Sequence, residues 1–239
     1  MFGFSFRNLG ACAYYAEKYL LSVLYLYLSW IEIGQVHFSS LVGTHAASQE
    51  FVTGASHLIL FLIQCLIGVL LLLIRKPTVH PRNLRELVIP LACALFFLAY
   101  RILPWFPVSW RYNYFPAALH PGVARLALVL GLIGPAISIW GVVALGRSFG
   151  IFVSVREIVF RGPYRFVRHP IYLGYLLIWT GYWLINFCPA VLVIISIHAS
   201  LFAWRVHLEE LRLAEASAAY REYIKCTGTI FPRISAFLR

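Results

Sequence analysis

What most constrains this chain is a series of apolar runs long enough to cross a bilayer, for which a helix needs about 20 residues. They fall near Tyr19–Phe38, Phe51–Ile74, Leu87–Trp105 and Val123–Leu145. Two shorter runs follow, Ile171–Phe187 and Ala190–Trp204, divided by Cys188-Pro189. Proline cannot continue a helix in register, so a tight turn between two antiparallel helices is expected there. Only 12% of the residues are charged and 61% are hydrophobic, where a soluble domain carries about 25% charge. No strand alternation is evident. The expected fold is therefore all-α: a polytopic integral membrane protein of about six transmembrane helices, the last two a tight hairpin, with a C-terminal cytosolic amphipathic helix.

The loops orient the bundle. Arg75, Lys76, Arg82 and Arg85 follow the second run, and Arg147, Arg156, Arg161, Arg165 and Arg168 follow the fourth. Arg205, Arg212, Arg221, Lys225, Arg233 and Arg239 follow the sixth. The loops after runs one and five hold no lysine or arginine, and the loop after run three holds only Arg111. Positive loops stay on the cytoplasmic side, so both termini are expected there. The host membrane would be the inner membrane in a bacterium or the endoplasmic reticulum in a eukaryote. Trp105, Trp110, Tyr112 and Tyr114 suit the opposite interface.

The net charge of +11 is thus read as topology and attraction to lipid, not as a nucleic-acid surface, because the basic residues sit in short loops. Five scattered cysteines form no Cys-x-x-Cys pair, and eight histidines show no ligand spacing, so neither a disulfide framework nor a metal site is expected. The first run lacks a cleavage site and reads as a retained span. Two polar pairs, Glu32 with Gln35 and His57 with Gln64, would each share a helix face and hydrogen-bond between helices. Motifs for dinucleotides, nucleoside triphosphates, serine nucleophiles and zinc hydrolysis are absent.

Two stretches carry chemistry. Arg161-Gly162-Pro163-Tyr164-Arg165-Phe166-Val167-Arg168-His169-Pro170 sets three of these arginines and a histidine against the start of the fifth run. Pro170 suits the first turn of a helix, whose N-terminal amides would face Arg168 and His169. Either a topology anchor or an anion pocket fits this pattern. After Trp204, Arg205 and Glu209 are four apart on one helical face, in a charged helix that continues towards Tyr223. By spacing alone that helix could equally be a salt-bridged tail on the membrane.

The Gly-Arg-Ser-Phe-Gly run at 146–150, the Gly-Pro-Tyr-Arg and Arg-His-Pro-x-Tyr-x-Gly blocks at 162–174, and Glu209-Glu210 followed by Tyr220 and Tyr223 come in one order. Together, from about Gly146 to Ile234, they resemble the isoprenylcysteine carboxyl methyltransferases, relatives of the phospholipid N-methyltransferases, and look more like bacterial members than eukaryotic ones. The resemblance implies a methyltransferase core over 146–239 and a substrate-side four-helix membrane region over 1–145, open towards lipid. It implies S-adenosyl-L-methionine as donor and a lipidic acceptor as partner. Gly162, Pro163, Tyr164, Arg168, His169 and Tyr172 would hold the donor. Arg205 would orient an anionic acceptor, with Glu209 or Glu210 fixing that arginine, or removing a proton if the acceptor were an amine or thiol. The family's Phe-Gly before the tyrosines is replaced here by Ala216-Ser217-Ala218-Ala219, so the two glutamates stay equivalent candidates. A phospholipid N-methyltransferase is the alternative. An NADPH-dependent sterol-type reductase would place an acidic residue after Gly174, where this chain has Tyr175. A non-catalytic membrane protein would leave the ordered blocks without a purpose.

Overall fold

The computed structural model describes residues 6–36, 49–114 and 121–233. Residues 37 and 38 of the first run, the side chain of His57, Ile234 and Arg239 lie outside the described residues. Helix α1 (Phe6–Tyr15) passes through a π turn (Ala16–Leu21) into α2 (Ser22–Gly34), and α3 (Gln49–Leu72) runs back along it. Next come α4 (Arg85–Ala94), a 3-10 segment (Phe96–Trp105) and the short α5 (Val108–Arg111). Helix α6 (Pro121–Leu145), the loop 146–169, α7 (Pro170–Ile185), α8 (Pro189–Ala216) and α9 (Ala218–Cys226) complete the order. Among the described residues there is no strand, only isolated bridges between Val79 and Val155 and between Val167 and Gly228. Two helical stretches, Gly122–Ser148 and Pro189–Ala216, are long and apolar enough to cross a membrane; Leu58–Leu72 and Pro170–Ile185 are apolar but shorter.

Local sequence explains where these elements depart from the expected runs. The third run does not form one helix. It changes to 3-10 geometry after Leu95, and it carries Pro90 and Pro104, neither of which can donate a backbone hydrogen bond. The charged segment 205–216 is not a separate tail but the end of α8, continuous with the sixth run. The helix does not reach Tyr223 unbroken. Ser217 is extended (φ −145°, ψ 123°), and its hydroxyl accepts from the Tyr220 amide, so it ends α8 and caps α9. Gln64 is buried on α3 with neither amide atom hydrogen-bonded, so the interhelical bond expected of it is not made.

Helices α6 and α7 lie antiparallel at close range because small residues line the seam. A Cβ on Gly174 would lie 2.5 Å from the Gly134 carbonyl oxygen and 2.9 Å from the Ser138 amide. One on Gly134 would meet the Gly174 carbonyl at 2.7 Å, and one on Gly181 the Ala127 carbonyl at 2.9 Å. Such seams let backbones approach where lipid offers no hydrophobic drive. The glycine of the Arg-His-Pro-x-Tyr-x-Gly block is therefore a packing residue.

The basic loops gather at one end. The Arg75 amide donates to Arg147 O at 2.9 Å, Thr78 N to Val155 O at 2.8 Å, and Arg75 pairs with Glu157. Two buried ion pairs that the sequence reading did not anticipate tie this end together: Glu17 with Arg156, and Glu86 with Arg212. At the far end, Tyr114 N donates to Phe187 O beside the α7–α8 turn, with Trp105, Tyr112 and Tyr114 exposed nearby in sequence.

Gly174→Val is expected to lower the unfolding midpoint in detergent, since overpacking a tight seam costs about 1–3 kcal/mol. Gly131→Ala, where a Cβ meets nothing within 4 Å, serves as the control and should leave the midpoint unmoved.

Candidate functional site

The loop that enters α7 is shaped by Gly162 and Pro163. Gly162 takes φ +63°, and a Cβ there would press on Ala144 and Trp140 of α6, so the glycine seats the loop on that helix. Pro163 opens the 3-10 turn Gly162–Arg165 and is buried with Tyr164. Neither Gly162 nor Pro163 reaches the cavity described below; both place Tyr164, which does. Pro170 begins α7, where its missing N–H is not needed. The chain's tail runs beside this entry: Arg168 N donates to Gly228 O and His169 N to Thr229 O, each at 2.9 Å.

Arg168 is 7% exposed, and its guanidinium is fully engaged. Nε donates to Glu210 Oε1 at 2.7 Å, Nη2 to Thr229 Oγ1 at 2.6 Å, and Nη1 to the Ile224 and Thr227 carbonyls. His169 lies between the two glutamates, with Nε2 3.3 Å from Glu210 Oε1 and Nδ1 3.7 Å from Glu209 Oε2. Its ring stacks on Tyr172, centroids 5.2 Å apart. The Tyr172 hydroxyl donates to Glu209 Oε1 at 2.7 Å, and the Arg205 guanidinium lies over the Tyr172 ring at 5.4 Å.

Arg205 Nε donates to the same Glu209 oxygen at 2.8 Å, and Nη2 donates to Ile151 O at 2.9 Å. Nη1 has only the Pro90 carbonyl, at 3.5 Å. The guanidinium is thus mostly committed to protein acceptors, and Nη1 is its least engaged corner.

These groups surround a cavity of about 170 Å³. Arg168, His169, Glu209, Tyr220 and Tyr223 supply a polar end, with Arg205 and Tyr172 also on the wall. Tyr25, Ile67, Cys93, Val142, Tyr175 and Phe202 supply an apolar part. Residues 148–159 of the loop after α6 complete the wall. Of the two glutamates it is Glu209 that faces the cavity, while Glu210 braces Arg168 and His169. Burial, first, and then the Glu209 carboxylate hold the Tyr164 phenol well above its ordinary range. Burial likewise raises Tyr220 and Tyr223, so all three stay neutral hydroxyls.

Of the residues singled out in the sequence, Tyr164, Arg168, His169, Tyr172, Arg205 and Glu209 are brought by the fold to one cavity. The sequence reading missed Tyr25 and Cys93, which come from helices without any motif. It also missed the loop backbone at Gly150 and Ile151. Glu17, a lone acid before an apolar run, was the available signal for a buried anchor. Among the described residues, no group of three or more His, Cys, Asp or Glu side chains is placed to hold a metal ion.

A curated relative, the cobalt-zinc-cadmium resistance protein CzcN of Cupriavidus metallidurans, is 29% identical over 120 residues. The alignment covers 48% of this chain and 53% of that protein, so the chain spans about half the length of the curated relative it matches. Residues 127–215, the stretch that supplies Arg168, His169, Tyr172, Arg205 and Glu209, match the model of the isoprenylcysteine carboxyl methyltransferase (ICMT) family.

Proposed function

We propose that this chain is an integral-membrane methyltransferase that uses S-adenosyl-L-methionine to methylate a carboxylate on a lipidic acceptor, at the cytoplasmic end of a six-span bundle with both termini on that side. The family match supports a membrane methyltransferase, and the basic loops gathered at the site's end support the orientation. The donor supplies an electrophilic methyl carbon on a sulfonium.

The lining of the cavity supports a donor that carries a cationic sulfonium and a carboxylate. Neutral tyrosines at 164, 220 and 223 line the wall and suit a cation, and the charges around them, two arginines and two glutamates, balance. Arg168 and His169 sit at the start of α7, where a carboxylate is favoured. The apolar wall from Tyr25 to Phe202 suits the hydrocarbon side of an acceptor. Methyl transfer needs donor and acceptor held in line with water kept out, which is what a small cavity closed by the loop and tail provides.

One observation favours a carboxylate over an amine. Both glutamates already have donors on them, Glu209 from Arg205 and Tyr172 and Glu210 from Arg168. Against the upward push of burial, the hydrogen bonds of His169 and Arg168 bring the Glu210 carboxyl down to about 2, which makes it a weak proton acceptor. An amine acceptor would need such a base, whereas an acceptor that arrives as an anion does not.

Thermal unfolding of the purified chain should shift upward with S-adenosylhomocysteine and not with NADPH, because only a ligand of the native state stabilises it. With a labelled methyl donor, label should pass to N-acetyl-S-farnesylcysteine and not to phosphatidylethanolamine. Label on phosphatidylethanolamine would replace the carboxylate reading with N-methylation. Stabilisation by NADPH alone would point to a reductase, and no response to either ligand to a non-catalytic protein. Tyr172→Phe, which frees Glu209 from one hydrogen bond worth about 1 kcal/mol, should retain folding but slow transfer.

A further inference from the structure

The most deeply buried carboxylate among the described residues lies outside the segment that matches the family. Glu17, in the π turn between α1 and α2, is 1% exposed. Its Oε1 accepts from the amides of Ile151 and Phe152, and its Oε2 from Arg156 Nη2. Arg156 is itself held by the Arg75 carbonyl at 3.0 Å and by Ser154 Oγ at 2.7 Å. The 150–156 loop forms part of the cavity wall, so one side chain from the N-terminal helix fixes the cavity's most irregular side.

The peptide groups on either side of Ile151 carry the connection inward, and the Ile151–Phe152 group touches both ends, its N–H donating to Glu17 and its C=O accepting from Arg205. Ile151 donates its N–H to Glu17 and accepts Arg205 Nη2 on its C=O. Arg205 then holds Glu209, which accepts the Tyr172 hydroxyl. Gly150 shows how little slack there is, since a Cβ there would lie 2.1 Å from Arg156 Nη1 and 2.9 Å from Glu17 Oε1.

We propose that Glu17 is a positioning residue for Arg205: by clamping the Ile151 peptide it sets where the guanidinium sits in the cavity, and so lets the N-terminal helices act on the chemistry of the C-terminal segment. Its kinetic consequence rests on the methyltransferase reading; its geometric consequence does not. The arrangement is selective. Arg212 is as buried as Arg205 and lies on the same helix, but its guanidinium is held by Glu86 of α4 and not by the peptides that Glu17 clamps. It provides an internal control within one molecule.

The test uses the full chain in detergent, with phenylglyoxal as the arginine reagent and peptide mapping as the readout. Glu17→Gln should speed modification of Arg205 at least fivefold and leave Arg212 within twofold of wild type. Glu86→Gln should do the reverse. If Glu17→Gln does not fold, Gly150→Ala, which forces the same clamp apart without changing charge, should give the Arg205 pattern. Equal acceleration of both arginines, or none at Arg205, would overturn the proposal, because a general loosening does not choose between them. In methyl transfer to N-acetyl-S-farnesylcysteine, Glu17→Gln should lower kcat at least tenfold with the KM for S-adenosylmethionine within threefold. Arg205→Ala should remove most of any further effect of Glu17→Gln, whereas additive losses would contradict a shared path. A wild-type chain that transfers no methyl group would defeat the methyltransferase reading and leave the arginine result standing.

Discussion

Charge buried at the end of an apolar helical bundle has to be partnered, and that requirement organises this structure. An isolated ion taken out of water costs several kcal/mol, and removing one member of a buried pair costs about 3–5 kcal/mol. Four buried arginines, at 156, 168, 205 and 212, each find a carboxylate: Glu17, Glu210, Glu209 and Glu86. Three of these pairs join segments far apart in sequence. The loop after α6 is fixed to the first helices by the Glu17–Arg156 pair as well as by the apolar cluster that joins Tyr14, Leu21 and Tyr25 to Phe149 and Ile151.

The consequence is a cavity that helices line on most sides and that one irregular loop completes. The loop 146–161 forms no helix beyond the short turn Gly146–Ser148, yet it is held from outside by Glu17, by the Val79 bridge and by the Glu86 carbonyl, which accepts from Val153 N. From inside, Arg205 takes its carbonyls. The tail at 224–229 is held by three contacts of the Arg168 guanidinium and by the Arg168 and His169 amides. A site built this way is pre-organised by charge, and every one of its polar residues carries two duties, toward a partner and toward the cavity.

How much of this was legible in the sequence follows from the range of each signal. Apolar runs and prolines act locally, so the helices and the turn at Pro189 could be read directly. Pro170 at the head of α7 and the i, i+4 pair Arg205–Glu209 are likewise local, and the structure forms both. The break at Ser217 is local too, but it needs the serine to be recognised as a cap in place of helix interior. The partners of Arg156 and Arg212 were not legible, because Glu17 and Glu86 lie 139 and 126 residues away and nothing in the spacing announces them. Gly162 and Gly174 were visible as motif glycines, yet their reasons differ: a left-handed turn against α6 for the first, a helix seam for the second.

The central claim is that the α7 entry, the end of α8 and α9 close over one donor-binding cavity. Photolabelling with an azido analogue of S-adenosylmethionine, followed by peptide mapping, tests it most directly. The account predicts label on peptides containing Tyr164–Tyr172 and Tyr220–Tyr223, abolished by excess S-adenosylhomocysteine. Label confined to α1–α3, or label that S-adenosylhomocysteine does not displace, would contradict it.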